Sequence, residues 1–183
     1  MARLVANVYG DALFSIGTEK HTLDALYEEV LAVKAALDET PQLMSALTSP
    51  NVESPAKQAI LSATFEGKVS DDMYGFLSIV LKKSRQEYLD EIFEYFIAIY
   101  KEHKKIGIVS VSTPFALSDL KKIEIEKKLL QTTGYKSLEV HYEVDESLIG
   151  GMVIRIKDRV VDSSVKTRLK QLEKSLRGLQ IGE

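Results

Sequence analysis

The chain of 183 residues contains no cysteine, no tryptophan and only four prolines. The absence of cysteine excludes disulfides, thiolate nucleophiles, iron–sulfur clusters and thiolate zinc sites. A helix that spans a bilayer needs about 20 mainly apolar residues. The most apolar stretches, 76–81 and 92–100, are too short or are interrupted by charge. We therefore expect a protein that is not integral to a membrane.

Sequence motifs for chemistry are also scarce. The three histidines, His21, His103 and His141, are far apart and form no HExxH spacing, and no GxxxxGK[ST] or GxGxxG loop occurs. Two SxxK matches, which begin at Ser54 and Ser163, lack the companion motifs of acyl-enzyme serines and are better explained as helix starts. We expect no catalytic centre, no cofactor and no metal site.

The two halves of the chain differ in charge. Residues 1–104 hold 10 Lys+Arg and 16 Asp+Glu, a net charge of −6, whereas residues 105–183 hold 14 and 11, a net charge of +3. The hydrophobic pattern changes at the same place, because the helical periodicity gives way to the alternating segment IGIVSVST at 106–113. We predict a domain boundary near 104–106.

The first half carries the apolar spacing of six amphipathic helices with short connections. Ser70, followed by two aspartates, predicts the amino-terminal cap of the fifth helix. The predicted helices cover about 5–16, 23–37, 42–47, 54–65, 71–83 and 87–104. Because each helix buries only one stripe, residues 1–104 are expected to form an all-α six-helix bundle.

The second half predicts a small α/β domain over residues 105–183. The order is strand 106–113, helix 118–131, strands 137–144, 151–156 and 159–162, and helix 164–179. The fold class is therefore α+β overall, with the helical bundle first. The glycine pair at 150 and 151 predicts a turn or bulge that needs positive φ.

The last predicted helix combines an apolar seam with basic residues. The seam consists of Val165, Leu169, Leu172, Leu176 and Leu179, with spacings of 4, 3, 4 and 3. Five basic residues and one glutamate give the same helix a net charge of +4. A nucleic-acid partner is one interpretation, and a solvated or protein-facing basic surface is the other.

Several segments resemble the ATP synthase delta subunit family, the bacterial relatives of the mitochondrial oligomycin-sensitivity-conferring protein. YGDALF at Tyr9–Phe14 resembles that family's opening motif, and Val140–Leu172 resembles its carboxyl-terminal signature. Arg85–Leu89 is loosely similar to the family's turn between the fifth and sixth helices. The chain departs from the family at Lys157, where the family often has glycine.

The resemblance implies a peripheral-stalk, or stator, subunit of a rotary ATP synthase driven by protons or sodium ions. Such a subunit is not itself an enzyme. It contributes to ATP synthesis and ion transport by holding the catalytic head against the torque of the rotor. It would lie peripherally at the cytoplasmic face of the bacterial cell membrane, without direct lipid insertion and without nucleic acid. We expect a monomer in isolation and one copy in the complex.

The resemblance also implies two partners. The amino-terminal bundle would hold the amino-terminal segments of the alpha subunits through its first and fifth helices, although any of these residues could instead pack in the bundle core. The carried-over alpha-binding residues are Tyr9, Ala12, Leu13, Ile16, Phe76, Ile79, Val80 and Lys83. The carboxyl-terminal domain would contact the b subunit, for which the seam residues Leu172, Leu176 and Leu179 are the candidates.

Two further interpretations remain open at this point. A cytosolic adaptor could bind nucleic acid or ribosomes through the basic carboxyl-terminal helix, and its affinity would then fall steeply with salt. An unrecognised hydrolase would need a cleft with perturbed acid and base groups. The sequence offers no candidate pair for such a cleft.

Overall fold

A computed structural model describes residues 2–179, with side chains given as far as Arg177. The chain divides between Tyr100 and Lys101 into two compact units. Tyr100 belongs to the first unit, because its hydroxyl donates to Asp24 Oδ1 at 2.9 Å and its ring stacks on Tyr27 at 3.9 Å. Lys101 belongs to the second, because its Nζ donates to Glu139 at 2.5 Å. The division therefore falls within the sixth helix, slightly before the boundary that the sequence pattern predicts.

Six α-helices form the first unit, as the periodicity predicts. They are α1 (Ala2–Glu19), α2 (Leu23–Glu39), α3 (Pro41–Thr48), α4 (Ser54–Phe65), α5 (Asp71–Lys82) and α6 (Leu89–Lys104). Each helix buries one stripe, and the deepest side chains come from all six helices. These fully buried residues include Leu13, Leu26, Val30, Val33, Leu47, Leu61, Met73, Leu77, Ile92, Phe93 and Phe96.

Helix ends in this unit follow their local sequence. Ser70 caps α5, because its Oγ accepts a hydrogen bond from the backbone N–H of Met73 at 3.3 Å, which confirms the predicted cap. Glu29 fixes Ser70 in turn, accepting from its backbone N–H at 3.0 Å and from its Oγ at 2.8 Å. The predicted start of the sixth helix at Glu87 is wrong by two residues, since Gln86–Tyr88 is a 3-10 turn and α6 begins at Leu89.

The second unit is a four-stranded mixed sheet with helices. Its elements are β1 (Ile106–Thr113), α7 (Asp119–Thr132), β2 (Ser137–Val144), β3 (Val153–Ile156), β4 (Arg159–Asp162) and α8 (Val165–Leu179). The strand order is β2-β1-β3-β4, with β1 parallel to β2 and antiparallel to β3. The α+β fold class is confirmed.

One face of this sheet packs against α7. Val109 and Val111 of β1 are fully buried against Ile125 and Leu129 of α7. Alternation along β1 places Ile108 on the opposite face, where it is 46% exposed. Among residues 2–179, no helix is both long and apolar enough to cross a membrane.

Gly151 is required by the turn between β2 and β3. It has φ +77°, and a Cβ at this position would lie 2.4 Å from the carbonyl oxygen of Ser163. The predicted strand 151–156 therefore begins only at Val153. Lys157 has a left-handed backbone conformation, with φ +48°, which glycine adopts more readily than lysine.

Gly151→Ala is expected to lower the stability of the second unit by roughly 1–3 kcal/mol, because the methyl group adds a backbone clash to a left-handed conformation. Gly134→Ala is the matched control, since a Cβ there meets nothing within 4 Å. Thermal unfolding of both variants, monitored by circular dichroism, measures the difference. Equal melting temperatures would contradict the tight turn at Gly151.

Candidate partner-binding surfaces

A groove of about 330 Å³ runs between α1 and α5 on the surface of the first unit. We call it the α1–α5 groove. Its lining is mainly apolar, with two aspartates at one end. The lining residues are Val8, Tyr9, Ala12, Ile16, Asp71, Asp72, Gly75, Phe76 and Ile79. A helical segment with apolar anchors one turn apart is the kind of partner that such a groove accepts.

Helical spacing explains why these residues share a surface. Val8, Ala12 and Ile16 recur every four residues on α1 and so lie on one face. Tyr9 joins the two helices, because its ring meets the ring of Phe76 edge-on with centroids 6.4 Å apart. Phe76 is nearly buried and forms the floor, whereas Ile79 is 53% exposed at the side.

The opening motif YGDALF holds α1 against α6 while leaving this groove open. A Cβ at Gly10 would lie 2.5 Å from Cδ1 of Tyr95, so glycine lets that ring approach the helix backbone. The Tyr95 hydroxyl donates to Asp11 Oδ1 at 3.0 Å, and this hydrogen bond raises the pKa of Tyr95. The glycine and the aspartate of the motif therefore position α1.

The groove's acidic end is partly neutralised. Lys20 Nζ lies 2.5 Å from Asp72 Oδ1, and both aspartates lie in the first turn of α5, where negative charge is favourable. Gly75 lies between this end and Ile79, and a Cβ there would meet nothing within 4 Å. The middle of the groove is therefore open because residue 75 has no side chain.

Five of the eight predicted alpha-binding residues line the groove, and three do not. Leu13 and Val80 are fully buried in the helical core and do not line the groove. Lys83 is exposed, one helical turn beyond Ile79, but lies outside the lining. The prediction that Leu13 and Val80 offer surface to a partner is corrected on this point.

Sequence reasoning missed four lining residues. Helical spacing could have identified Val8, because it precedes Ala12 by one helical turn on the same face. The sequence pattern assigns Asp71 and Asp72 only to the predicted amino-terminal cap of the fifth helix. No sequence pattern indicates Gly75, because its role in the groove is to leave empty space where another residue would have a side chain.

A second surface lies on α8, where the apolar seam is exposed. Leu169 is 52% exposed, Leu172 60%, Leu176 65% and Val165 37%. We call these four residues the α8 seam. The side chain of Leu179, the third predicted b-binding residue, lies outside the described side chains. Among the described residues, the seam has no element of its own unit packed over its length.

The start of α8 is fixed by the carboxyl-terminal signature. The backbone N–H of Thr167 donates to Ser164 Oγ at 3.2 Å, and that of Ser164 donates to Asp162 Oδ1 at 2.8 Å. These hydrogen bonds confirm the predicted capping role of this segment. Gly150 permits close packing here, because a Cβ on it would lie 2.9 Å from Cγ2 of Val165.

Hydrogen bonds also set the charge state of this corner. Those from Ser164 and Thr167 hold the pKa of Asp162 below its usual value. Those from Ser147, with a smaller contribution from the charge of Lys166, lower the pKa of Asp145. Both carboxylates are therefore ionised at neutral pH, and Asp162, at the end of β4, accepts a hydrogen bond from Thr167 Oγ1 in the first turn of α8 at 2.7 Å.

The sequence of the chain matches one protein family over almost its whole length. Residues 5–176 match the sequence model of the family described as ATP synthase delta (OSCP) subunit. The chain is 44% identical to the ATP synthase subunit delta of Lachnoclostridium phytofermentans, with complete coverage of both chains. It is 36% identical to that of Desulforamulus reducens, over 94% of each chain.

The fold is also similar to that of a solved structure. A chain in the cryo-EM structure of the Toxoplasma gondii mitochondrial ATP synthase hexamer superposes with a TM-score of 0.70. The match covers 93% of this chain and 96% of the other, at 21% sequence identity. At that identity the likeness concerns the fold alone.

Proposed function

The chain belongs to the ATP synthase delta (OSCP) family and is a stator subunit of a rotary ATP synthase, within which we propose that its two units bind different partners. The first unit would hold an amino-terminal segment of the alpha subunits in the α1–α5 groove. The second would contact the b subunit of the peripheral stalk through the α8 seam. The head would thereby be linked to the stalk.

This linkage follows from mechanics. The rotor exerts torque on the catalytic head during ATP synthesis, and the head must be held while the rotor turns. A subunit that binds the head with one unit and the stalk with the other transmits that torque to the stalk. It needs two durable interfaces and no chemistry of its own, so the role is non-catalytic.

The α1–α5 groove is the observation that carries the alpha-subunit part of the proposal. It lies between two rigid helices, has an apolar floor at Phe76 and an open centre at Gly75. Apolar anchors of a partner helix would supply affinity there, and the flanking charges would fix register. From membership of the family, we further propose a peripheral position at the cytoplasmic face of the membrane complex, in one copy.

Adding the full chain to catalytic heads depleted of their delta subunit tests this proposal. Native mass spectrometry should show one added copy per head, because one stator serves the head. Heads that take up no chain, or several, would contradict the proposed role.

A fragment of residues 1–104 is expected to fold alone, because α1–α6 bury their stripes in one another and the cut keeps α6 whole. Circular dichroism should give helical minima and a cooperative melt. The fragment should retain binding to an alpha amino-terminal peptide and lose binding to a b-subunit fragment. Retained binding to b and loss of alpha would invert the proposed roles.

A further inference from the structure

The side of α1 that points away from the α1–α5 groove carries two glycines in close contact with other helices. Gly10 lies about 160° around the helix axis from Ala12, and Gly17 lies about 140° from it. A Cβ at Gly17 would lie 3.0 Å from leucine side chains of α2, and a Cβ at Gly10 would lie 2.5 Å from Cδ1 of Tyr95 on α6. The helix that forms one wall of the groove is therefore held from behind by α2 and α6.

Tyr95 is fixed against two neighbouring residues of α1. Its ring packs against Gly10, and its hydroxyl donates a hydrogen bond to Asp11 Oδ1 at 3.0 Å. The ring cannot turn aside without losing this hydrogen bond, so it limits how closely α1 approaches α6. Tyr95 itself does not line the groove.

The opposite wall of the groove, α5, is fixed by contacts with other helices. Glu29 of α2 accepts hydrogen bonds from Ser70 at the start of α5. The Tyr74 hydroxyl shares a hydrogen bond of 2.6 Å with Ser62 Oγ of α4. Neither of these contacts involves α6. The distance between the two walls therefore depends on where Tyr95 holds α1.

We propose that Tyr95 is a positioning residue for the α1–α5 groove, which sets the place of α1 and thereby the affinity of the groove for an alpha-subunit helix. The proposal rests on the alpha-binding role above. Helices pack by fitting side chains together at close-packed density, so a small displacement of one wall changes many contacts with a docked helix. Tyr9, which meets the Phe76 ring across the two walls, adjoins Gly10, so a shift at Gly10 also alters the floor of the groove.

The test measures binding of an alpha amino-terminal peptide to the full chain by isothermal titration calorimetry. Tyr95→Ala removes the ring behind α1, and Gly10→Ala adds a methyl group that meets this ring and displaces α1. We expect each single variant to weaken binding by about three- to tenfold, within the range that residues without ligand contact reach. In the double variant the methyl group enters the space that the ring has left, so binding should be tighter than in either single variant. A double variant that binds more weakly than both single variants would overturn the proposal.

Tyr27→Ala is the matched control, because it removes a partly buried tyrosine ring from the same unit, where that ring stacks on Tyr100. It should lower the melting temperature but change the peptide affinity by less than about twofold, measured at a temperature at which the variants are folded. If the affinities of Tyr95→Ala and Tyr27→Ala fall in proportion to their losses of stability, Tyr95 has only a structural role and the proposal is overturned.

Methyl NMR spectra of the free chain give a second readout that needs no partner. The methyl signals of Ile16, on the α1 wall, should shift in Tyr95→Ala and in Gly10→Ala and return towards their wild-type positions in the double variant. They should stay in place in Tyr27→Ala. Ile16 signals that do not move in Tyr95→Ala would overturn the inference, and this variant decides the matter alone if Gly10→Ala does not fold.

The two readouts separate the inference from the role on which it rests. If the wild-type chain does not bind the alpha peptide but the Ile16 signals respond as expected, the alpha-binding role fails and the positioning of α1 by Tyr95 stands. If the wild-type chain binds the peptide and Tyr95→Ala binds it equally well, the alpha-binding role stands and the inference about Tyr95 fails.

Discussion

Ile79→Asp is expected to abolish binding of an alpha amino-terminal peptide to the intact chain while leaving its melting temperature unchanged. Ile79 is 53% exposed at the side of the α1–α5 groove, so the carboxylate stays hydrated in the free protein. A docked helix would bury that carboxylate against its apolar anchors, where the charge would have no ion-pair or hydrogen-bond partner. The cost of roughly 2 kcal/mol or more weakens binding at least 30-fold. Isothermal titration calorimetry with the peptide measures this loss.

Val80→Asp is the matched control, because it makes the same substitution one residue further along α5. Val80 is fully buried in the helical core, so its aspartate should unfold the first unit or lower its melting temperature severely. If Ile79→Asp also unfolds the chain, residue 79 belongs to the core and the groove is not a free surface.

Gly75→Leu tests the groove by filling it. A Cβ at residue 75 meets nothing within 4 Å, so the new side chain should fit the folded helix and replace a poor helix former. It would then occupy the centre of the groove and exclude a partner helix. Unchanged peptide affinity in both Gly75→Leu and Ile79→Asp would move the alpha-subunit site away from this groove.

These neighbouring residues show how far the sequence determines the site. The spacing of apolar residues predicts the helix α5. It does not say which of two adjacent apolar residues, Ile79 or Val80, points into the core, although their side chains differ by about 100° around the helix axis. Which of them points inward depends on where the other helices of the bundle pack, and that is a property of the tertiary structure. The same reasoning applies to Ala12 and Leu13 on α1.

In the second unit, local sequence patterns likewise predict some features of the fold and leave others undetermined. Alternating apolar residues predict β1 and β2 with their observed bounds. The order β2-β1-β3-β4 depends on long-range pairing, which no local pattern encodes. The start of β3 at Val153 was missed, because the clash that fixes Gly151 comes from Ser163, twelve residues away in the sequence.

Leu176→Asp is expected to remove binding of the b-subunit fragment and to leave the melting temperature of the isolated chain nearly unchanged. Leu176 is 65% exposed on α8, so the aspartate costs the free protein little. In a helix pair the same carboxylate would lie in the apolar interface, where an unpaired charge is strongly unfavourable. Surface plasmon resonance with an immobilised b fragment measures the binding, and differential scanning calorimetry measures the melting.

Leu176→Ala distinguishes the shared seam from a helix packed within its own unit. Truncation of a buried leucine to alanine lowers the free energy of unfolding by about 2–5 kcal/mol. Truncation of an exposed leucine usually lowers it by no more than about 0.5 kcal/mol. The exposure of Leu176 predicts the smaller value. Leu129→Ala on α7 provides the buried reference, because Leu129 packs on the sheet and is 9% exposed.

The two α8 measurements together decide where the stalk attaches. If binding of the b fragment is lost while the melting temperature is unchanged, the contact lies on the α8 seam. A large drop in the melting temperature would mean that the seam is covered by its own unit. If Leu176→Asp both melts and binds normally, the next candidate is the sheet face opposite α7. Ile108 and Val160 are exposed there, and Val153 shares that face through its register with Ser112. An aspartate at Val160 should then be the variant that loses the b fragment.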